Sequence, residues 1–388
     1  MTRIFKNILL FFFLAVLFGR CKDKYDSPYK APNTGYLVVE GYITGNGPTQ
    51  FTLSRTVNLS GNGVIPPEKG ALVQVEGTDN SIYPLTEVAN GNGLYVANSM
   101  PLNAATKYRL RIKTGDGRIY LSDTVPYKVT PPIDSISWTY GPSYGLKIYA
   151  NTHDPANATH YYQWVYDETW QYNAAEYAAY EYQKDQNQVV FRPDSEQIYT
   201  CWKEAPSTRL ILGNSTKLTQ DEIYLQLLDQ IPANTQPLGI LFSIIVTQYA
   251  LTEDGYNFLT LMQKNTESLG SIFDAQPSAL RGNIHSLSDP NEQVIGFVSA
   301  GTIEKQRIFI SRYQVPDWRY YLGCDLPDTI VGLSPDALKH FYFEQSYIPL
   351  EAHYSFGGPQ DGWTSNLPGC ADCRLQGGTT KKPAFWPN

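Results

Sequence analysis

Cys370 and Cys373, in the run CADC near the end of the 388-residue chain, are the closest pair of reactive side chains in the sequence. A zinc site would need a second Cys/His pair at ligand spacing, and none accompanies them. A redox role would need a thioredoxin-like βαβ context, which is also missing. With Cys201 and Cys324 they make an even set, and an even set in an exported chain reads first as disulfides, of which four cysteines allow three pairings. Proximity favours Cys370 with Cys373, leaving Cys201 for Cys324; cross-pairing is the alternative. The five histidines show no HExxH spacing, and no GxSxG elbow or P-loop is present. Asp167 and Glu168 are neighbours on an expected strand and so face opposite ways; they cannot flank one scissile bond. No catalytic residue, metal site or cofactor is therefore assigned, and the chain is expected not to be an enzyme.

The residue type in excess is aromatic. Between Tyr161 and Tyr182 lie seven tyrosines and two tryptophans. On a strand, Tyr162, Trp164 and Tyr166 share one face and Tyr161, Gln163 and Val165 the other. Nine rings exceed what one side of one strand can bury, so a surface set is expected, with Trp164, Trp170, Tyr177 and Tyr180 as the candidate binding residues. Rings of this kind present flat apolar faces with polar tips, suited to a protein partner or a sugar. Tyr177 and Tyr180 would share a face if their Ala-rich segment were helical.

The start of the chain speaks to location. Arg3 and Lys6 precede an eleven-residue apolar run from Ile8 to Phe18, too short to span a bilayer but suited to a targeting segment. Leu17-Phe18-Gly19-Arg20-Cys21 resembles a bacterial lipobox, with Arg20 where that pattern has a small residue, and implies acylation of Cys21. Loss of residues 1–20 takes three of the 30 basic residues while all 37 acidic ones remain, so the mature chain is strongly acidic and nucleic acid is not an expected partner.

The elements that must position these residues are mostly strands. A polar tether, 21–35, leads into alternating runs LVVEGYIT, TQFTLSRT, ALVQVEG, SIYPLTEV, GLYVAN, TKYRLRIKT and RIYLSDTV. Asn-Gly and Gly-Asp-Gly turns separate several of them. The pattern predicts an immunoglobulin-like or transthyretin-like antiparallel sandwich over 36–128. A proline-rich linker, Pro126 to Pro132, then marks the boundary to a larger β-rich domain, 133–388, ending in the cysteine-containing tail. Within it EDGYNFLTLMQKNTESLG predicts one amphipathic helix, with Tyr256, Leu259, Met262 and Leu269 on its apolar side and Gly270 as stop. The fold class is thus mainly β with at least one helix.

The blocks YLVVEGYIT, LSRT, YYQWVYDETWQY, GNIHSLSDPNEQVIGFVSA and CADCRLQGGTTKKPAFW resemble those of the Bacteroidetes outer-membrane lipoproteins grouped as domain of unknown function 4249. The resemblance implies a lipid-anchored outer-membrane protein and, as partner, a TonB-dependent outer-membrane receptor; it implies no activity. Lys22-Asp23-Lys24-Tyr25-Asp26 partly matches the acidic surface-export tract of related lipoproteins, so the expected location is the outer membrane facing the cell exterior. Two readings follow: an accessory or substrate-capture partner of the transporter, or a stand-alone surface glycan binder or adhesin.

Overall fold

The computed structural model describes residues 35–57, 64–267 and 281–387. Cys21, the tether up to residue 34, Leu269 and Gly270 lie outside the described residues. The protein is mainly β with a few helices.

Alternation organises the first unit. Lys107–Lys113 buries Tyr108, Leu110 and Ile112 and turns its charged residues outward, while Leu37, Val39 and Ile43 do the same from Leu37–Thr44. Asn80 and Asn90 take positive φ at the turns, as tight hairpins require. The expected open sandwich is instead a closed ring of eight strands. Its order is Lys107–Lys113, Leu72–Gly77, Ile82–Glu87, Leu94–Ala97, Thr49–Arg55, Leu37–Thr44, Ala300–Gly301 and Val125–Lys128, and the last pairs back with the first. Closure depends on a piece from far downstream. Ala300–Gly301 wedges in parallel between Leu37–Thr44 and Val125–Lys128. Gly301 permits this, because a Cβ there would lie 2.1 Å from the Lys128 carbonyl oxygen.

Two further returns, Ile284–Ser286 against Ile119–Ser122 and Val294–Ile295 beside Leu37 and Val38, join the same sheet. The first unit therefore borrows residues 284–301, which contribute Ile284, Val294, Val298 and Ala300 to its core. The expected linker is strand over part of its length: Val125 and Pro126 pair with Tyr108 and Lys107, and Thr130 Oγ1 donates to the Thr302 carbonyl at 2.5 Å. Pro126 is the second residue of this four-residue strand and pairs on one side only, since Ala300–Gly301 joins from Tyr127 onward.

The second unit is a sandwich. Thr200–Pro206, Tyr161–Asn173, Leu241–Ala250 and Ile303–Ser311 pair in that order, with Ile211–Asn214 extending the first edge. Their inner face packs on a three-stranded sheet of Glu222–Ile231, Gly145–His153 and Ile133–Gly141. Tyr162, Trp164, Phe242, Ile244, Ile148 and Leu228 meet between the sheets. One helix, Glu253–Glu267, follows the strand Leu241–Ala250.

A smaller sheet of Asp328–Val331, Gln360–Asn366 and Ile348–Tyr354, with the hairpin Tyr180–Gln183 and Gln188–Phe191, caps one end around Trp363 and Tyr342. One disulfide ties the segment after the cap to the sandwich and the other ties the two ends of the cap together, and they correct the expected pairing: Cys201 bonds to Cys373 and Cys324 to Cys370. The reason is local. Cys370 lies in the helical turn Pro368–Ala371, which ends at an extended Asp372. The chain thus delivers Cys373, whose N–H donates to the Ile198 carbonyl, against the strand that carries Cys201.

Candidate functional site

The four rings singled out from sequence do not form a platform. Trp164 is wholly buried and donates from Nε1 to Gln248 Oε1 at 2.8 Å. Trp170 is buried too, its Nε1 on Gln236 Oε1 at 3.0 Å. Tyr180 lies on a hairpin strand rather than a helix and packs edge-on against Phe191. Tyr177 alone is substantially exposed, at 49%, against Tyr199. The even-numbered rings of the long strand are core because that strand sits in the middle of a two-layer sandwich whose second sheet requires an aromatic filling.

The odd-numbered side of the same strand carries the candidate site. Antiparallel register places Val165, Thr247 and Lys305 in one row across three strands, and Gln163, Tyr249 and Ile303 in the next. Leu210, just before the strand that pairs with Trp164, extends the first row at the opposite edge. Val165, Leu210 and Lys305 of the first row and all three residues of the second line the floor of a cavity of about 560 Å³ where the sandwich, the barrel and the helix meet, while Thr247 is buried and does not line it. The helix roofs it. Gly255, Phe258, Leu259 and Met262 recur at i, i+3, i+4 and i+7 and line the cavity. Gly255 keeps the helix close to the returning chain: an added Cβ would approach Phe297 Cε1 at 3.2 Å. Tyr256, expected on the apolar side with Leu259 and Met262, packs on Tyr161 instead of lining the cavity, and its hydroxyl accepts from Asn214 Nδ2 at 2.8 Å. Gln263 Nε2 fixes the roof by donating to the Leu210 carbonyl at 2.7 Å.

The barrel supplies the wall through Val38, Glu40, Tyr42, Ile295, Gly296, Phe297 and Ser299. Tyr42 packs edge-on against Tyr249 with centroids 5.0 Å apart, and burial, then Tyr249, holds its hydroxyl protonated far above the ordinary range. The lining is mostly aliphatic and aromatic, with Glu40 and Lys305 as its charged members. Thr44, Gln50, Thr52, Gln163 and Ser299 add uncharged polar groups to it, a make-up suited to holding a small ligand.

Beyond the cavity the outer face is closed by the C-terminal tail. Trp386 Nε1 donates to Gln171 Oε1 at 3.1 Å and packs on Phe309, while the Arg307 guanidinium sits 3.6 Å from the centre of the Phe385 ring. Burial lowers the Arg307 pKa, against the pull of Asp167 and Glu204.

Asp167 and Glu168 do face opposite ways, and Glu168 finds a different carboxyl. Inside the sandwich it lies beside Asp229, whose Oδ1 accepts from the Tyr166 hydroxyl at 2.7 Å and has Arg209 at 3.9 Å. Burial first, then the Asp229 charge, pushes the Glu168 carboxyl up to about 8, and its Oε1 is buried without a partner. Neither residue lines the cavity. Among the described residues no group of three or more His, Cys, Asp or Glu side chains is placed to hold a metal ion, and no helix is long and apolar enough to cross a membrane.

The features together define a disulfide-clamped, multi-sheet β protein with an apolar cavity at the junction of its units. The sequence matches the family described as domain of unknown function (DUF4249) over residues 22–307, and the chain belongs to that family. No curated protein matches it. Among solved structures it is similar to a DUF4785 family protein from Legionella pneumophila, with 9% identity, 56% of this chain and 50% of that one covered, and a TM-score of 0.19. The FN1–FN3 domains of chicken CNTN1 give 15% identity, coverage of 56% and 62%, and a TM-score of 0.18. The chain spans half and about three fifths of the length of these two structures. The chicken interferon gamma receptor alpha chain gives 7%, 57% and 91%, and 0.15. At such TM-scores none of them carries a structural argument.

Proposed function

We propose that the chain is a non-enzymatic outer-membrane lipoprotein, anchored through Cys21 and facing the cell exterior, that captures a substrate for a TonB-dependent receptor. The observation that carries the capture role is the cavity over Val165, Tyr249 and Lys305, a half-open and largely apolar recess of ligand size. Membership in the family supports the anchor and the receptor partnership through the resemblance that quoted blocks of the chain bear to outer-membrane lipoproteins. Burial of Trp164 and Trp170 removes the ring platform expected for a protein partner and for a sugar alike, so the preference for capture over a stand-alone glycan binder or adhesin rests on the cavity.

Affinity purification of the tagged protein from membranes in mild detergent is the test. A receptor barrel that co-purifies is the expected result. A lipid-anchored protein recovered in good yield with no barrel would overturn the accessory role. Cys21→Ser is expected to release the protein from membranes or to stall it as precursor; unchanged size and attachment would overturn the anchor.

A further inference from the structure

We infer that the cavity takes an unbranched single-chain amphiphile with an acidic head group, its chain lying along the row from Lys305 to Leu210 and its head beside the Lys305 ammonium. The inference rests on the reading of the cavity as a capture site but not on the receptor partnership.

The row itself has the polarity of such a molecule. Lys305 lies on Ile303–Ser311, the outermost strand of the sheet, and is exposed. Thr247, buried and not itself in the cavity lining, and Val165 follow on the next two strands, and Leu210 stands at the far edge, with Leu259 and Met262 lining the roof. Three inter-strand steps of about 4.8 Å make a trough about 14 Å long, cationic at one end and aliphatic at the other. Lys305 has no carboxylate within 4.0 Å among the described residues, so its charge is available to a ligand. Glu40, the other charged lining residue, belongs to the barrel wall and lies off this row. The lining suits a flexible chain better than a sugar. A sugar needs convergent donors and acceptors around each hydroxyl; the polar lining residues Thr44, Gln50 and Thr52 belong to the barrel wall, whereas Val165, Leu210, Leu251, Phe258, Leu259 and Met262 offer methyl, methylene and ring surface along the row and roof.

The experiment uses the purified mature protein in detergent-free buffer and saturated fatty acids from octanoate upward, each below its micellar concentration, with binding followed by calorimetry. Affinity is expected to rise about fourfold per added methylene and then to level off once the chain outgrows the trough. Val165→Trp is expected to abolish dodecanoate binding. Lys305→Glu is expected to weaken dodecanoate at least tenfold while leaving dodecanol unchanged. Dodecanoyl lysophosphatidylglycerol separates the two sources of an acidic head: tighter binding than dodecanoate assigns a lysolipid, weaker binding a free acid, and either supports the inference. No saturable binding of either probe, or binding that ignores both substitutions in variants with unchanged melting temperatures, overturns it. Receptor co-purification can succeed or fail independently of this result.

Discussion

Removing the Cys201–Cys373 bridge by Cys201→Ala and Cys373→Ala together should destabilise the protein strongly, because this bridge closes a loop of 172 residues. In the chain-entropy picture such a loop is worth about 5 kcal/mol, and the 46-residue loop of Cys324–Cys370 about 4 kcal/mol. The second bridge is nested in the first, so with it intact the outer loop behaves as one of about 126 residues, and the entropy falls by only a few tenths of a kcal/mol. Alanine avoids leaving a buried hydroxyl at Cys201 and Cys373, both of which have no exposed surface. Urea unfolding followed by tryptophan fluorescence is the assay. With a slope of about 2.5 kcal/mol per molar, the midpoint should fall by roughly 2 M. A shift below about 0.5 M would show that the bridge contributes little to the fold. So would non-reducing peptide mapping that recovers Cys370 joined to Cys373, because so short a loop removes little chain entropy and leaves the tail untied to the sandwich.

The buried carboxyl makes stability pH-dependent in a defined direction. Glu168 is raised from 4.5 to about 8, so its protonated form stabilises the fold fully below about pH 4.5, and that contribution is lost as pH rises through 8. Glu168→Gln should flatten this fall, which is at most about 1.4 kcal/mol per pH unit; parallel melting profiles for both proteins between pH 5 and 9 would contradict it. Trp164→Ala should cost about 3–5 kcal/mol, whereas Tyr177→Ala, at a half-exposed ring, should cost about 1 kcal/mol or less; similar losses in thermal unfolding would reverse the core and surface assignments. A fragment of residues 36–128 should lack a cooperative transition, since Ala300–Gly301 and the buried Val298 are missing from its barrel. Dispersed amide resonances from that fragment would show that the downstream return is dispensable.

Local periodicity made most of the strands readable. Lys107–Lys113 and Leu72–Gly77 announce themselves by alternation, and the helix Glu253–Glu267 by its 3.6-residue stripe and acidic first turn. Barrel closure was not readable, because the strand that completes it is two residues long and carries no pattern of its own. The disulfide pairing was hidden for a related reason: whether two cysteines meet depends on where Asp372 redirects the chain, not on their separation in sequence. The rings misled because Trp164 and Trp170 lie under a second sheet whose position over the strand Tyr161–Asn173 no local signal reveals. Of the cavity, Leu259 and Met262 were visible as an apolar helix face, but Val165 and Lys305 are 140 residues apart and become neighbours of one row only through register.

The central claim is that the enclosure between helix, barrel and sheet is a binding site with a polarity. The most direct measurement is a crystal structure of the mature protein with 12-bromododecanoate, read by bromine anomalous scattering. One strong peak is expected beside Leu210 and Met262, with the carboxylate density at Lys305. An empty cavity at saturating ligand, or bromine at the Lys305 end, would contradict it.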